Sequence, residues 1–185
     1  MQSAAELRPF PYTVAYRNIR YPRLEFRTGT LLIVLPFGQD EERMLASHRR
    51  WIERKYDEIC ASQAASLQAQ PTIRTPDEFK NLVERFVREF VPEIQRMPGR
   101  VFFRSMKTKW ASCSRNGNLT VNTLLGRLPE DLVGYVIYHE LVHLRCRKHN
   151  RLFWSCIRKN FDDPEYCERQ LCTYWFLLHP GYGAN

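Results

Sequence analysis

The first third of the chain places β-branched and aromatic residues in short runs with charged residues among them, a pattern typical of strands. Three such runs extend from Tyr12 to Tyr16, Arg23 to Thr28 and Thr30 to Pro36. From Asp40 to Cys60, apolar positions instead recur at helical spacing, with charged residues between them. The pattern therefore predicts three strands followed by one helix.

A second helix is predicted to begin near Pro76. Thr75 is a favourable N-cap, proline suits the first helical position, and Glu78 completes a capping box. Apolar residues then recur every three or four positions. Pro92 is expected to bend or end this helix.

The pattern returns to strands after the second helix. Val101 to Met106, Lys109 to Ser114 and Leu119 to Asn122 are predicted strands, and the last two form an antiparallel hairpin. The Asn116-Gly117 pair between them tolerates positive φ at both central positions of a tight turn.

Three further helices complete the pattern. One is predicted to begin at Pro129, a short one is capped by Asn150, and the last is opened by Asp163-Pro164. No internal repeat is visible in the sequence.

The glutamine-rich segment 61–74 has the small, polar composition of a linker. It divides the chain into an N-terminal unit of strands and a helix, residues 1–60, and a larger unit, residues 75–185. The two are expected to pack as one compact body.

Composition narrows the class of protein. The chain has 185 residues with 44% hydrophobic and 26% charged content, which is typical of a folded domain. No apolar run approaches the length of a membrane helix, and the first residues lack the basic and apolar parts of a secretory leader. We therefore expect a cytoplasmic protein without a membrane partner, whose six cysteines are reduced.

The residues that carry chemistry lie on the helix predicted after Pro129. His139-Glu140-Leu141-Val142-His143 is an H-E-x-x-H sequence, and four-residue spacing on a helix turns both imidazoles to one side, where they can share a metal ion. Glu140 lies beside that ion and is predicted to be the general base that activates a zinc-bound water. The predicted cofactor is Zn²⁺.

A catalytic zinc site needs three protein ligands and an open position for water. His149 follows His143 by six residues, at a distance that a turn after the helix can bridge. Glu165 and Glu168 on the last predicted helix are the alternatives.

These segments resemble the YgjP-like metallopeptidase domain family, which is related to the SprT-like and WLM zincin-type proteases. The resemblance rests on Lys109 to Ser114, Leu119 to Asn122, Leu128-Pro129 and Tyr135 to Trp154, and it covers about the last half of the chain. Ala111 and Asn150 replace the usual glycine and serine of the family pattern.

The resemblance implies His149 as the third ligand. It also implies an α+β, zincin-like fold, in which a small antiparallel sheet lies beside the active-site helix and the N-terminal strands and other helices flank it. Trp110 and Trp154 are expected to pack around the site. Asn122 is expected either to orient a ligand or to cap a turn.

Three functions remain open on the sequence. The leading one is a metallopeptidase, with a polypeptide substrate bound along the hairpin. The net charge of +8, and the labels of some family members, make nucleotide pyrophosphate hydrolysis an alternative. The third is a non-enzymatic zinc module that binds nucleic acid through the N-terminal arginines Arg17, Arg20, Arg23 and Arg27.

Overall fold

The computed structural model describes residues 12–27 and 30–179. Thr28, at the end of the second predicted strand, and the segment on which the leader prediction rests lie outside the described residues.

The N-terminal unit contains a three-stranded sheet with its third strand in the centre. This strand pairs in parallel with the first and antiparallel with the second. Its run of apolar residues is buried, which explains its central place. The strands are β1 (Tyr12–Tyr16), β2 (Arg23–Arg27) and β3 (Thr30–Leu35).

Helix α1 (Glu41–Ser66) is longer than predicted and extends into the segment expected to be a linker. Asp40 caps its start by accepting a hydrogen bond from the N–H of Glu42. The extension contains alanine and glutamine, which favour helix, and α1 packs against the last helix of the chain. The division of the chain into two units stays a prediction.

Helix α2 (Pro76–Ile94) begins with the predicted capping box between Thr75 and Glu78. Pro92 does not end the helix, which continues for two residues before Gln95 adopts a left-handed conformation with φ 56°. A proline in the last turn removes only one N–H donor, so the helix tolerates it there.

The second sheet has the same strand order as the first. Its third strand lies in the centre, parallel to the first strand and antiparallel to the second. The hairpin is antiparallel as predicted, whereas the whole sheet is mixed. The strands are β4 (Val101–Arg104), β5 (Ala111–Cys113) and β6 (Leu119–Asn122).

The hairpin turn differs from the one expected at Asn116-Gly117. Of these two residues, only Gly117 has a positive φ, of 79°, and its N–H donates to the carbonyl of Ser114. The Ser114 hydroxyl accepts the N–H of Asn118, which fixes a longer loop than a two-residue turn.

The remaining helices surround this sheet and enclose the larger hydrophobic core. The α+β class, with a small sheet beside the helix that carries the histidines, is confirmed. In the described part of the chain, no helix has both the length and the apolar character of a membrane span. The helices are α3 (Glu130–Val142), α4 (Arg151–Asn160) and α5 (Pro164–Leu178).

Candidate metal centre

Helix α3 carries two of the three histidines. Glu130 and Asp131 occupy its first turn, where carboxylates interact favourably with the helix dipole. His139 lies in the last turn and His143 is the C-cap residue, so the two rings stand one turn apart with centroids separated by 5.3 Å.

The chain turns back directly after α3 and returns His149 to the other two histidines. Asn150 Oδ1 stabilises this turn by accepting the N–H of Phe153, at 3.1 Å, and the thiol of Cys146, at 3.2 Å. His149 Nε2 lies 3.1 Å from the Nε2 atoms of both His139 and His143. The structure therefore brings together the three residues that the sequence singled out.

One aromatic ring supports all three imidazoles. Phe153 is fully buried, and its centroid lies 4.9 Å from that of His139, 4.8 Å from that of His143 and 4.5 Å from that of His149. Packing against a shared buried ring restricts how each imidazole can tilt. The sequence indicates Phe153 only as part of the family pattern, because its contact with the three rings depends on the tertiary fold.

Hydrogen bonding fixes the orientation of His143. Its Nδ1 lies 3.1 Å from the carbonyl oxygen of Cys146, which can only accept, so Nδ1 carries the proton. The lone pair is then on Nε2, the atom that faces His149.

A carboxylate backs His139 on the side away from the other histidines. Glu168 Oε1 accepts the hydroxyl of Tyr135 at 2.7 Å and lies 3.9 Å from His139 Nδ1. Glu168 therefore lies on the Nδ1 side of His139. Glu165 forms an ion pair with Arg158. Tyr135 precedes His139 by one helical turn, and this spacing indicates from the sequence that the Tyr135 and His139 side chains are neighbours.

The surroundings favour the neutral form of each histidine. Burial, followed by the charges of His149 and His143, lowers the pKa of His139 to about 3. Burial is also the largest cause that lowers the pKa of His143 and of His149. Neutral imidazole is the form that binds metal ions.

Glu140 is held against the second sheet. Its Oε2 accepts the backbone N–H of Cys113 on β5 at 2.7 Å. Burial raises the pKa of this carboxyl, while the bond from Cys113 and the charge of Lys109 act in the opposite direction. A raised pKa makes a carboxylate a better proton acceptor near neutral pH.

Among the described residues, strand β5 pairs with β6 only, so its other edge is a free edge, and this edge lies beside Glu140. The bonds from Asn122 N–H to the Trp110 carbonyl and from Ser114 N–H to the Asn118 carbonyl face β6. Because bonding alternates along an antiparallel strand, Ala111 and Cys113 direct their N–H and C=O groups away from β6. Ala111, Cys113 and the histidines line a cleft of about 390 Å³.

Arg147 fastens one end of this edge. Its guanidinium donates to the carbonyls of Ser114 at 2.9 Å and Arg115 at 2.7 Å, and lies 3.5 Å from that of Cys113. The segment between His143 and His149 is thereby tied to the end of β5. No sequence pattern indicates this arginine, because its partners are backbone carbonyls of a distant segment.

Asn122 acts on the backbone rather than on a ligand. Its amide donates to the carbonyls of Met106 and Lys109, both at 2.8 Å, and its oxygen accepts the N–H of Leu124 at 3.1 Å. Of the two predicted roles, the structure supports the cap, which here also holds the segment that leads into β5.

Of the two tryptophans, Trp154 packs against the histidines as expected, whereas Trp110 packs against α5. Trp154 lies with its ring centroid 5.9 Å from that of His149, and Trp110 packs edge-on against Trp175. Both are partly buried, and both line a larger groove of about 1220 Å³ that extends from His139 and His149 toward β2 and α1.

Comparison with known proteins places this site in a family. The model of the YgjP-like metallopeptidase domain matches residues 73–174, which include all three histidines and Glu140. The chain belongs to the YgjP-like metallopeptidase family. The predicted family resemblance is therefore confirmed, and the family match spans the second sheet and most of α5.

Two solved structures are similar to this YgjP-like chain. One is the metallopeptidase zymogen abylysin of Pyrococcus abyssi, with 25% identity and a TM-score of 0.46 over 49% of this chain and 92% of that one. The other is the metallopeptidase zymogen jannalysin of Methanocaldococcus jannaschii, with 26% identity and a TM-score of 0.42 over 48% and 90% of the two chains. No curated protein matches the chain significantly.

Proposed function

We propose that this YgjP-like protein is a zinc peptidase in which His139, His143 and His149 bind the ion and Glu140 is the general base. The observation that carries the proposal is the convergence of three imidazole nitrogens beside a carboxylate that is bonded to a free strand edge. Each part has a distinct task in peptide hydrolysis.

The donor set fits zinc. With Zn–N bonds of about 2.0–2.1 Å and tetrahedral angles, two ligand nitrogens lie about 3.3–3.4 Å apart. The separations of 3.1 Å from His149 Nε2 to the other two Nε2 atoms are close to that value.

The number of ligands supports a catalytic ion rather than a structural one. Within residues 12–27 and 30–179, no cysteine or carboxylate joins the three histidines in the cluster of candidate ligands. Structural zinc sites have four protein ligands, whereas catalytic sites keep one position for water or substrate. This argues against the zinc module that only binds nucleic acid.

When bound, zinc lowers the pKa of a coordinated water and polarises the carbonyl under attack. Glu140 accepts the proton of the attacking water and passes it to the leaving amide nitrogen. The bond from Cys113 N–H holds one oxygen of this carboxylate, and the other accepts no hydrogen bond from the described residues. One oxygen is therefore fixed and the other is available to the proton.

The free edge of β5 supports an extended polypeptide as the substrate. Ala111 offers an N–H and a C=O to the cleft, and an extended peptide can pair with them as an added strand. Main-chain pairing of this kind places a peptide bond across the cleft with little demand on its side chains.

A nucleotide substrate is supported less well. Phosphoanhydrides are bound by cations that converge on the phosphates and the metal. Lys109 lies just before β5, whereas Arg147 is bonded to carbonyls at the opposite end of that strand. These two cations of the cleft therefore do not converge.

The test compares the parent protein with Glu140→Gln, both loaded with zinc, on a denatured polypeptide and on a nucleoside triphosphate. We expect the parent to cleave the polypeptide and the variant to retain one zinc but lose at least about 100-fold in rate. Metal content by mass spectrometry and cleavage by a fluorescence assay provide the two readouts.

Glu130→Gln is the control, because Glu130 lies on the same helix but outside the cleft. Cleavage by Glu140→Gln at the parent rate would show that the base is another group. Hydrolysis of the triphosphate without cleavage of the polypeptide would show that the protein is a pyrophosphatase and not a peptidase.

A further inference from the structure

The positive charge of the chain is concentrated on both sides of α3. Residues 94–129 and 141–161 contain no aspartate or glutamate. Their cations are Arg96, Arg100, Arg104, Lys107, Lys109, Arg115 and Arg127 in the first segment, and Arg145, Arg147, Lys148, Arg151, Arg158 and Lys159 in the second. These segments contain β5, the turn after it, and the segment that carries His149.

The fold brings part of this charge together at the Cys113 end of β5. Arg147 bonds the carbonyls of Ser114 and Arg115, and Arg96 Nη1 donates to the carbonyl of Leu144 at 2.8 Å. Leu144 lies so close to the hairpin turn that a β carbon at Gly117 would be 3.4 Å from its Cδ2. We name the resulting cluster the basic rim, which consists of Arg96, Arg115, Arg145, Arg147 and Lys148.

The basic rim is not neutralised within the described residues. All five side chains are exposed, and none lies within ion-pair distance of a carboxylate in that part of the chain. The opposite wall of the cleft, formed by α5, carries Glu168. The cleft is therefore polarised, with positive charge where the free edge of β5 ends.

We propose that the basic rim selects acidic polypeptides, whose aspartate and glutamate side chains lie beyond the Cys113 end of β5 while the scissile bond lies at the three histidines. This inference rests on the proposed peptidase function and names its substrate class. The paired strand fixes the path of the substrate, so only the residues on one side of the scissile bond reach the rim.

A polypeptide fits the rim better than a nucleic acid does. Single-stranded nucleic acids bind where exposed aromatic rings accompany the cations and stack with bases. The exposed aromatic side chains of the described residues are Tyr12, Tyr16, Tyr21, Phe37 and Tyr166, and none belongs to the two basic segments. The rim also continues a strand edge whose N–H and C=O groups pair with a peptide main chain.

The test uses matched peptides with one apolar cleavage site and four flanking residues that are glutamate, glutamine or lysine. Each charge pattern is placed before the scissile bond in one set and after it in another. We expect kcat/KM to be about tenfold higher for glutamate than for glutamine, and lowest for lysine, in one of the two sets only. Added salt should reduce the preference.

Arg115→Glu and Lys148→Glu test the rim itself, because no hydrogen bond or ion pair involves these two side chains among the described residues. Each variant should lose most of the preference for glutamate and keep its cleavage of the glutamine peptide. Lys80→Glu, on the exposed side of α2 and outside the cleft, is the control of equal charge change. Zinc content is measured for each variant. If Lys148→Glu loses metal, the test of the basic rim rests on Arg115→Glu alone.

Binding to zinc-loaded Glu140→Gln, measured by fluorescence anisotropy, separates this inference from the proposed function. Tighter binding of the glutamate peptide would support the basic rim even if no peptide were cleaved. Equal cleavage and equal binding of the glutamate, glutamine and lysine peptides would overturn the inference and leave the proposed peptidase function unaffected. Tighter binding of single-stranded DNA of equal charge would assign the surface to nucleic acid instead.

Discussion

The two sheets of this protein share one topology and differ in how their edges are held. In each, the third strand is central, parallel to the first and antiparallel to the second. In the N-terminal sheet, apolar packing of β3 against α1 provides the stability. In the second sheet, polar side chains from β6, from α3 and from the segment after α3 bond the backbone around β5.

The difference shows that a shared topology does not by itself make a candidate metal centre. Edge strand β2 contributes Glu25 and Phe26 to the larger groove that extends from His139 and His149, and it carries no residue of the histidine cluster. Edge strand β5 is bonded by Glu140 and Arg147, which both lie in the segment 139–149 that carries the three histidines. The bonds to β5, rather than the sheet itself, set the distance between the free edge of β5 and the candidate base.

Phe153→Ala is expected to have the largest effect of the variants that test this comparison. Removing a fully buried ring that contacts three histidines should lower the free energy of unfolding by about 3–5 kcal/mol and weaken zinc binding as well. Denaturant unfolding and zinc titration give the two values. Phe161→Ala, in the same core but not against the three imidazoles, should destabilise the protein and keep its zinc affinity; equal zinc affinity in both variants would contradict the role given to Phe153.

Ile52→Ala makes the corresponding change in the N-terminal core. Ile52 is fully buried on α1, so we expect a loss of about 2–5 kcal/mol, expressed as faster hydrogen exchange in β1 to β3. Zinc affinity should be unchanged, since this core contributes none of the three histidines. A large loss of zinc affinity would show that the two regions are coupled.

Asn122→Ala removes side-chain hydrogen bonds that hold the segment before β5 against the second sheet. The carbonyls of Met106 and Lys109 would lose their buried partner, which should cost about 1–3 kcal/mol and speed exchange in the segment before β5. Thr120→Ala, on the same strand, serves as the reference. Equal protection of that segment in both variants would mean that Asn122 does not hold it.

Glu168→Gln should give the smallest effect. The change keeps the size of the side chain and its contact with Tyr135 but removes the charge behind His139, so zinc affinity should fall about tenfold. Competition with a chromophoric chelator measures the affinity. Glu165→Gln is the matched control, and an equal decrease in both would indicate a general effect of charge on α5.

Much of the fold follows from local pattern. The strands, the capping box at Thr75 and the helix before the histidines are encoded by neighbouring residues, so the sequence predicts them well. Local pattern fails where tertiary contacts contribute to an element, as in α1, which packs against α5 and continues past the predicted helix end at Cys60. It also fails to give the parallel pairing of β4 with β6, because strand neighbours are chosen by the whole sheet.

By itself, the sequence determined the candidate ligands and base, because four-residue spacing places His139 and His143 on one helical face and Glu140 beside them. Only the tertiary structure decided that His149 meets them, that Glu168 stands behind His139, and that Cys113 holds Glu140. It also brought the cations of two separate segments together into one basic rim. Contacts between residues far apart in the chain depend on how elements pack, and the spacing of residues along a sequence does not encode that packing directly.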